Sequence, residues 1–536
     1  MNSFVNKHKD HVSGVLSGFD RLVLRGSLRN LAYAAGLRGY LNATGVLLKD
    51  FSKYALQITA KLKEASLEKA RRLDRPIKYL NSSQIRKEDV ARKIAQEDKI
   101  DNRLICVLTC VEPCMSYEIY RNAEAKLLEL QPRQRKCLHL YHYFMHPVFG
   151  FMHARVQTWL PCSIQVCLNG REWLSRQLDK AGIDYRRRDN SFSWIADFDA
   201  AQKLFDQQRR ASWTSLLDKV ARTIHPAHGE LFRTEPDGIP LGYYWSTHQS
   251  EWATDVAFTS LDTLQAVYPR LVNHSIMTHG IRDVMRFLGK KLNQNGNLPR
   301  SFNGEIVSDA KLRPEGLRVK HWLNGNSVKM YDKGNNLRFE TTIDNPDQFK
   351  VFRAKEGDPD GQKSWLPMRK GIADLHRRAE VSQSANDRFM EAQVAVTNDT
   401  PLRELADQLC RRVRRAGRVK PNGERAKARH FRALRPFSPD DAELLIAVSR
   451  PEFTQNGRRN RDLCALLYTA RARTKQEQRR RSSAVTRKLA LLRAHGLINK
   501  VPKSHRYTVT SKGRIAITAL LAARNATTDQ LTKEAA

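Results

Sequence analysis

No uninterrupted apolar run in this chain approaches the ~20 residues of a membrane-spanning helix, so no membrane association is expected. The opening Asn2 to His11 is polar and no apolar h-region follows, which argues against a secretory signal. Eight cysteines in 536 residues are too few for a disulfide framework. Cys106, Cys110 and Cys114 stand four apart, a spacing that suits no standard zinc module. They read as ordinary thiols, and a reducing cytoplasm is the expected setting. No G-x-G-x-x-G or Walker sequence occurs, so nucleotide binding by those routes has no support. His139, His142, His146 and His153 crowd one stretch, yet no two histidines are two positions apart, as a pair on one strand face must be. Acidic side chains are also scarce: 56 Asp+Glu stand against 93 Lys+Arg, for a net charge of +37. Residues 401–536 hold 32 basic and 11 acidic residues, so that quarter supplies 32 − 11 = +21. A surplus so localised points to a polyanionic partner, with nucleic acid the leading candidate and DNA favoured over RNA.

The stretch with most chemistry is 316–343. Three runs alternate apolar and polar residues, and Asn324-Gly325 and Gly334-Asn335 separate them, as in an antiparallel meander. Leu337, Phe339 and Ile343 then share one face with Val328 and Met330. Arg318, Lys320, Lys329, Tyr331, Lys333, Arg338 and Glu340 share the other. If both turns are two-residue hairpins, Tyr331 faces Arg318 and Arg338, while Lys329 faces Lys320 and Glu340. Cations beside a phenol favour phenolate and stabilise charge on a phosphate oxygen. A solvated sheet face with ordinary cross-strand pairs fits the same pattern.

The fold class expected is α+β: an antiparallel-sheet N-terminal and central core with flanking helices, then a C-terminal winged helix. Four parts are expected: an α/β domain over 1–135, an α+β domain over 136–345, a basic helical connector over 346–436 and the winged helix over 437–536. In the first, Phe19–Leu28 alternates like a strand, 48–72 has helical periodicity, and Ile105–Thr109 is a compact apolar run. In the second, strands at 137–144, 149–159, 164–168 and 192–195 surround a helix near 171–181. One long basic helix is expected from 200, with a loop at 225–229. In Tyr243–Phe258, Glu251 and Asp255 share a strand face with Gln249, and Trp252, Val256 and Phe258 fill the other. Two carboxylates on one face suit a hard cation such as Mg²⁺ or Mn²⁺, or form an exposed acidic edge.

Asp255, Tyr331-Asp332-Lys333 and Arg338-Phe339-Glu340 together resemble the core of rolling-circle replication initiation factors of the plasmid trans-acting type, and filamentous-phage replication proteins look similar in style. The resemblance is confined to about 251–340. It implies a strand-nicking enzyme in which a tyrosine attacks a DNA phosphate, a divalent metal polarises that phosphate, and a 3′-hydroxyl is released. Tyr331 is the matching tyrosine; Tyr243, Tyr244 and Tyr268 remain alternatives. A tyrosine of pKa about 10 needs activation near pH 7. Arg318, Lys329, Lys333 and Arg338 are the expected cationic helpers. Glu251, Asp255 and Glu340 are the expected metal ligands.

In the last hundred residues Ser438-Pro439 opens a helix, Asn460 caps a second and Ser482 a third. His495-Gly496 stops the third, and Leu497–Val501 and Arg506–Thr510 form a wing. This order resembles bacterial winged-helix DNA-binding domains. Ser483, Thr486 and Arg487 would then reach bases or phosphates, and Arg479, Arg480, Arg481, Lys503, His505 and Arg506 would hold the backbone. Two readings follow: a mobile-element or plasmid-type nicking enzyme, or a non-catalytic nucleic-acid binder such as a transcription regulator or RNA-binding accessory protein.

Overall fold

The computed structural model describes residues 2–124, 126–224, 242–290, 304–313, 316–355, 357–358, 360–394, 402–416, 427–449, 458–468, 470, 472–501 and 504–526. The expected loop at 225–229 and Lys503 lie outside them. The chain divides into two compact units. The larger comprises His8–Leu264 and Asn324–Asp387, and the other Met1–Lys7, Gln265–Leu323 and Arg388–Ala536.

The strands, in chain order, begin with β1 (Val12–Leu28), β2 (Ile77–Leu80), β3 (Leu104–Asn122), β4 (Leu127–His146), β5 (Gly150–Gln157) and β6 (Ile164–Asn169). There follow β7 (Tyr185–Arg188), β8 (Ser191–Ile195), β9 (Tyr243–Phe258), β10 (Ile306–Arg313), β11 (Gly316–Leu323), β12 (Asn326–Lys333) and β13 (Asn336–Ile343). In the larger unit the sheet order is β12-β13-β9-β1-β6-β5-β4-β3-β2. Only the β2–β3 contact is parallel among the pairings given for these strands. The boundary expected at 135/136 falls inside β4, and β1, β6 and β9 join both flanking stretches into one sheet.

The two faces of β1 are covered differently. Phe19, Leu22 and Leu24 enter a core with Trp245, Trp252, Val166 and Leu217. Leu16 enters another with Leu174, Phe192 and Phe205. Gly14 and Gly18 lie under the rings of Phe198 and Phe205, where a Cβ would come within 2.3 Å of ring carbon, so the helix Phe198–Asp206 needs both glycines to approach the strand. The long helix expected from 200 is in fact two, Phe198–Asp206 and Trp213–Ile224. Asn169 caps the helix Gly170–Ala181, and Gly182 ends it at a φ of 64°.

Residues 346–387 are not a connector; they belong to the larger unit. The helix Leu375–Gln393 carries buried polar side chains that hydrogen-bond strand carbonyls. Asn386 donates to Trp252 and Phe339 at 3.1 Å each, and Arg378 to Thr247 at 2.9 Å and Ile343 at 3.2 Å. Helical spacing in the sequence does not say which buried carbonyls wait opposite such residues.

In the other unit, the helices Pro439–Ser449, Asn460–Leu467, Lys475–Ala494 and Ser511–Asn525 share an apolar core that includes Leu444, Leu463, Val485, Leu489 and Ile517. Arg458–Arg459, Ile498–Lys500 and Arg506–Val509 form a three-stranded sheet with the last in the middle. The helix expected to start at Ser482 starts at Lys475. Thr474 accepts a hydrogen bond from the Glu477 N–H, and Glu477 accepts one from the Arg473 N–H. That satisfies two N-terminal donors eight residues earlier and places Ser483 in mid-helix. Among the described residues no helix is long and apolar enough to cross a membrane.

Candidate active site

The larger unit brings its charged side chains together on one face of β12, β13, β9 and β1. The hairpin at Gly334-Asn335 sets the expected register, with Tyr331 opposite Arg338 and Lys329 opposite Glu340. Gly334 takes a φ of 67°, as a tight hairpin turn requires. On the other side of β13, Arg338 faces Asp255 of β9. Between β1 and β9 the pairing slips twice near the cluster. Phe19 pairs with Trp252 and Arg21 with Glu251, leaving Asp20 as the extra residue of a bulge. Val23 pairs with Gln249 and Leu24 with Thr247, leaving His248 as a second extra residue. A bulge re-aims side chains. Here it lets Phe19 and Leu22 share one core while Asp20 meets Arg338.

Arg338 is fully buried and is the hub. It holds Asp255 in a two-toothed grip, Nε to Oδ1 at 2.5 Å and Nη2 to Oδ2 at 2.8 Å. Its Nη1 donates to Asp20 at 2.9 Å and its Nη2 to the Asn190 carbonyl at 2.6 Å. Arg171, also fully buried, donates to Asp255 at 3.0 Å and to the carbonyls of Gly18, Phe19 and Ala253. Asn190 donates to Asp20 at 2.7 Å. Burial alone would raise the Asp255 carboxyl, but Arg338 and then Arg171 win and hold it down at about 2.

Glu340 organises the neighbouring group. It accepts the Tyr331 phenol O–H on one oxygen and the Lys329 ammonium, at 2.5 Å, on the other. Lys329 also donates to Glu251 at 3.3 Å. Burial opposes the charge on Glu340, yet Lys329 and Arg338 bring it to about 2. Glu251 moves the other way: burial, then the like charge of Glu340, lifts it above the ordinary glutamate value. Tyr331 also departs from expectation. Its burial and the neighbouring Glu340 raise the phenol well above 10, outweighing Arg338. The sequence pattern placed cations beside Tyr331, but the hydroxyl has an anion as its partner.

Three carboxylates, from Asp20, Glu251 and Glu340, each place an oxygen within 4.8 Å of the others. The donors fit a hard divalent cation, being all oxygen. The four carboxylates Asp20, Asp255, Glu251 and Glu340 stand among Arg171, Lys329, Lys333 and Arg338, with Arg21 paired to Glu251, the partly exposed carboxylate. Asp255, expected as a ligand, has both oxygens engaged by arginines, and the carboxylate beside Glu251 and Glu340 is that of Asp20. Asp20 stood in the alternating Phe19–Leu28 stretch; an acid between Phe19 and Arg21 in an apolar strand was its one signal. Nothing in the spacing pointed to Arg171 or Asn190.

Lys333 shares the face of Lys329 and Tyr331, and burial, then Arg338, lowers its ammonium. Arg318 belongs to the other unit, where it faces Lys311 across the β10–β11 pair and lies 4.0 Å from Asp309. Of the alternative tyrosines, Tyr244 is exposed and Tyr268 donates to the Leu317 carbonyl. On the helix Lys475–Ala494, Arg479, Arg480, Ser483, Thr486 and Arg487 are exposed at helical spacing. Arg481 turns away from this row, pairing with Glu477 at 2.5 Å and lying over the Tyr468 ring. His505 is exposed and Arg506 half-buried. The site is therefore a carboxylate-rich cluster on the face of a mostly antiparallel sheet. The chain matches no protein-family model, no curated protein and no solved structure.

Proposed function

We propose that this protein binds nucleic acid, DNA by preference, and nicks one strand at the Tyr331–Glu340 cluster. The observation that carries the reading is the carboxylate trio of Asp20, Glu251 and Glu340 beside a tyrosine hydroxyl, in a chain of net charge +37. Mg²⁺ or Mn²⁺ held by the trio would neutralise charge on a phosphate. The phenol oxygen attacks phosphorus and forms a phosphotyrosyl bond, and the bond to the 3′ oxygen breaks. Glu340, the hydrogen-bond acceptor of the phenol, would take its proton only where a bound cation stabilises the phenolate, because Tyr331 holds its proton tightly and Glu340 binds one weakly. Lys333, one strand repeat beyond Tyr331 and with its ammonium made more acidic, supplies a proton to the departing oxygen. Arg338 aligns the cluster without facing the substrate, since its donors are spent on Asp255, Asp20 and Asn190. Targeting falls to the helix Lys475–Ala494, read as the recognition helix of a winged-helix domain, with its exposed arginines on the phosphate backbone.

A non-catalytic nucleic-acid binder is favoured by one observation. Lys329 already pairs with both Glu340 and Glu251, so the cluster also reads as an ionic clamp between strands. A denaturing gel separates the two. With Mn²⁺ and supercoiled or single-stranded DNA containing the gene's own flanks, a covalent adduct is expected, and Tyr331→Phe abolishes it. An adduct that survives Tyr331→Phe moves the nucleophile elsewhere. No adduct with any of these substrates, together with intact salt-sensitive binding, selects the binder.

A further inference from the structure

A second polar site lies on the same sheet, away from the carboxylates. A cavity of about 150 Å³ is lined by Arg25, Arg155, His139, His248, Gln157 and Gln165, with a few smaller contacts. Its volume is below the roughly 300 Å³ at which pockets for drug-sized ligands begin. The register builds it: Arg25 faces Gln165, which faces Arg155, so three polar side chains form one row across β1, β6 and β5. His248 enters from β9 as the extra residue of its bulge. Arg155 is pinned, donating to Gln165 at 3.1 Å and to His139 Nε2 at 2.9 Å, while the other ring nitrogen of His139 meets the Cys137 carbonyl at 3.2 Å. That leaves His139 neutral, its Nε2 accepting from the guanidinium.

Charge in the cavity is not balanced. Among the described residues no carboxylate lines it. Glu112 approaches Arg155 at 3.5 Å, but it also holds Lys87 at 2.8 Å and the Tyr141 hydroxyl at 2.6 Å. The Arg25 guanidinium makes no hydrogen bond or ion pair among the described residues, and burial, then Arg155, lowers its affinity for its proton. Arg25 and Arg155 are half-buried around one void, and Arg25 has no acid opposite it, so the cavity keeps a positive charge that an anion would offset. Gln157 and Gln165 add amide groups, and guanidinium forks suit tetrahedral oxyanions.

We infer that this cavity binds the terminal phosphate of a nucleic-acid strand, which deepens, and rests on, the nucleic-acid reading above. A terminal phosphomonoester carries about −1.5 to −2 at pH 7, which two arginines match better than the single charge of an internal diester. Arg25 lies four residues beyond Arg21, the partner of Glu251, and so about 13 Å along β1 from the carboxylates. A strand end seated there would run along the same face towards Tyr331.

Fluorescence anisotropy on the full chain tests this, in EDTA and at fixed ionic strength. One oligonucleotide is used with a 5′-phosphate, with a 3′-phosphate, or with hydroxyl ends. One phosphorylated form is expected to bind at least about tenfold tighter than the hydroxyl form, the weight of one charge-assisted contact. Arg25→Gln should erase that preference and leave hydroxyl-ended binding unchanged. Should Arg25→Gln fail to fold, the comparison of ends on the unaltered chain still decides. Equal affinity for all ends, with salt-sensitive binding intact, overturns the pocket and leaves the nucleic-acid reading standing. Thermal stabilisation by inorganic phosphate that Arg25→Gln abolishes, with no oligonucleotide bound, overturns the strand end and the nucleic-acid reading together. It then assigns the cavity to free phosphate.

Discussion

The Arg338 cluster and the helix Lys475–Ala494 are both dense in arginine, and they use it in opposite ways. In the cluster, Arg338 and Arg171 are wholly buried, and their donors go to Asp255, Asp20 and main-chain carbonyls. On the helix, Arg479, Arg480 and Arg487 stand exposed in one row. A buried charge acts through its partners and is ruined by losing one. An exposed charge acts through its field, is screened by salt, and can be removed with little effect on the fold. The same residue type thus builds a rigid buried network in one unit and an exposed, positively charged surface in the other.

The contrast is broken most severely at its hub. Arg338→Met leaves Asp255 and Asp20 buried without their main counter-charge and should cost about 3–5 kcal/mol in urea unfolding. A loss near zero would mean that the network does not hold the sheet. Acid titration of stability is the next largest effect. Asp255 is held at about 2 against an ordinary 3.8, so its folded form binds its proton less tightly than the unfolded chain does. The resulting stabilisation, about 2 kcal/mol, is fully present above pH ~4 and lost as pH falls towards 2. Asp255→Asn should remove its share of that acid limb and leave the part due to Glu340, whereas Arg480→Ala should leave the whole limb unchanged.

On the helix the expected effects are on binding. Replacing Arg479, Arg480 and Arg487 together by Ala should lower the slope of log affinity against log salt by roughly 2–3, with stability altered by no more than about 0.5 kcal/mol. An unchanged slope would remove this row from the nucleic-acid interface. Arg481→Ala is the smallest change. Its pair with Glu477 is local and worth about 0.3–0.5 kcal/mol, and because it turns from the exposed row, the salt slope should hardly move.

Much of the central hairpin was legible in the sequence. Alternation around Gly334-Asn335 was enough to place Tyr331 opposite Arg338 and Lys329 opposite Glu340, and the structure has that register. The α+β class, with a large antiparallel sheet and flanking helices, followed from the same local patterns. The candidate site was only half legible. Lys329, Tyr331, Arg338, Glu340 and Glu251 come together, but Asp20 is 318 residues from Arg338 and enters through a bulge that no alternation rule announces.

What the sequence determined by itself is therefore local: which residues alternate, where a glycine allows a tight turn, and how strongly basic the chain is. These depend on neighbours a few positions away and on composition. What only the tertiary structure decided is the partner of each charge. Both oxygens of Asp255 met arginines, the Tyr331 hydroxyl met a carboxylate, and Arg25 and Arg155 came to face one cavity. Those outcomes depend on which strands lie side by side and on single-residue slips between them. A one-residue bulge changes the face of a side chain while leaving the sequence pattern almost untouched.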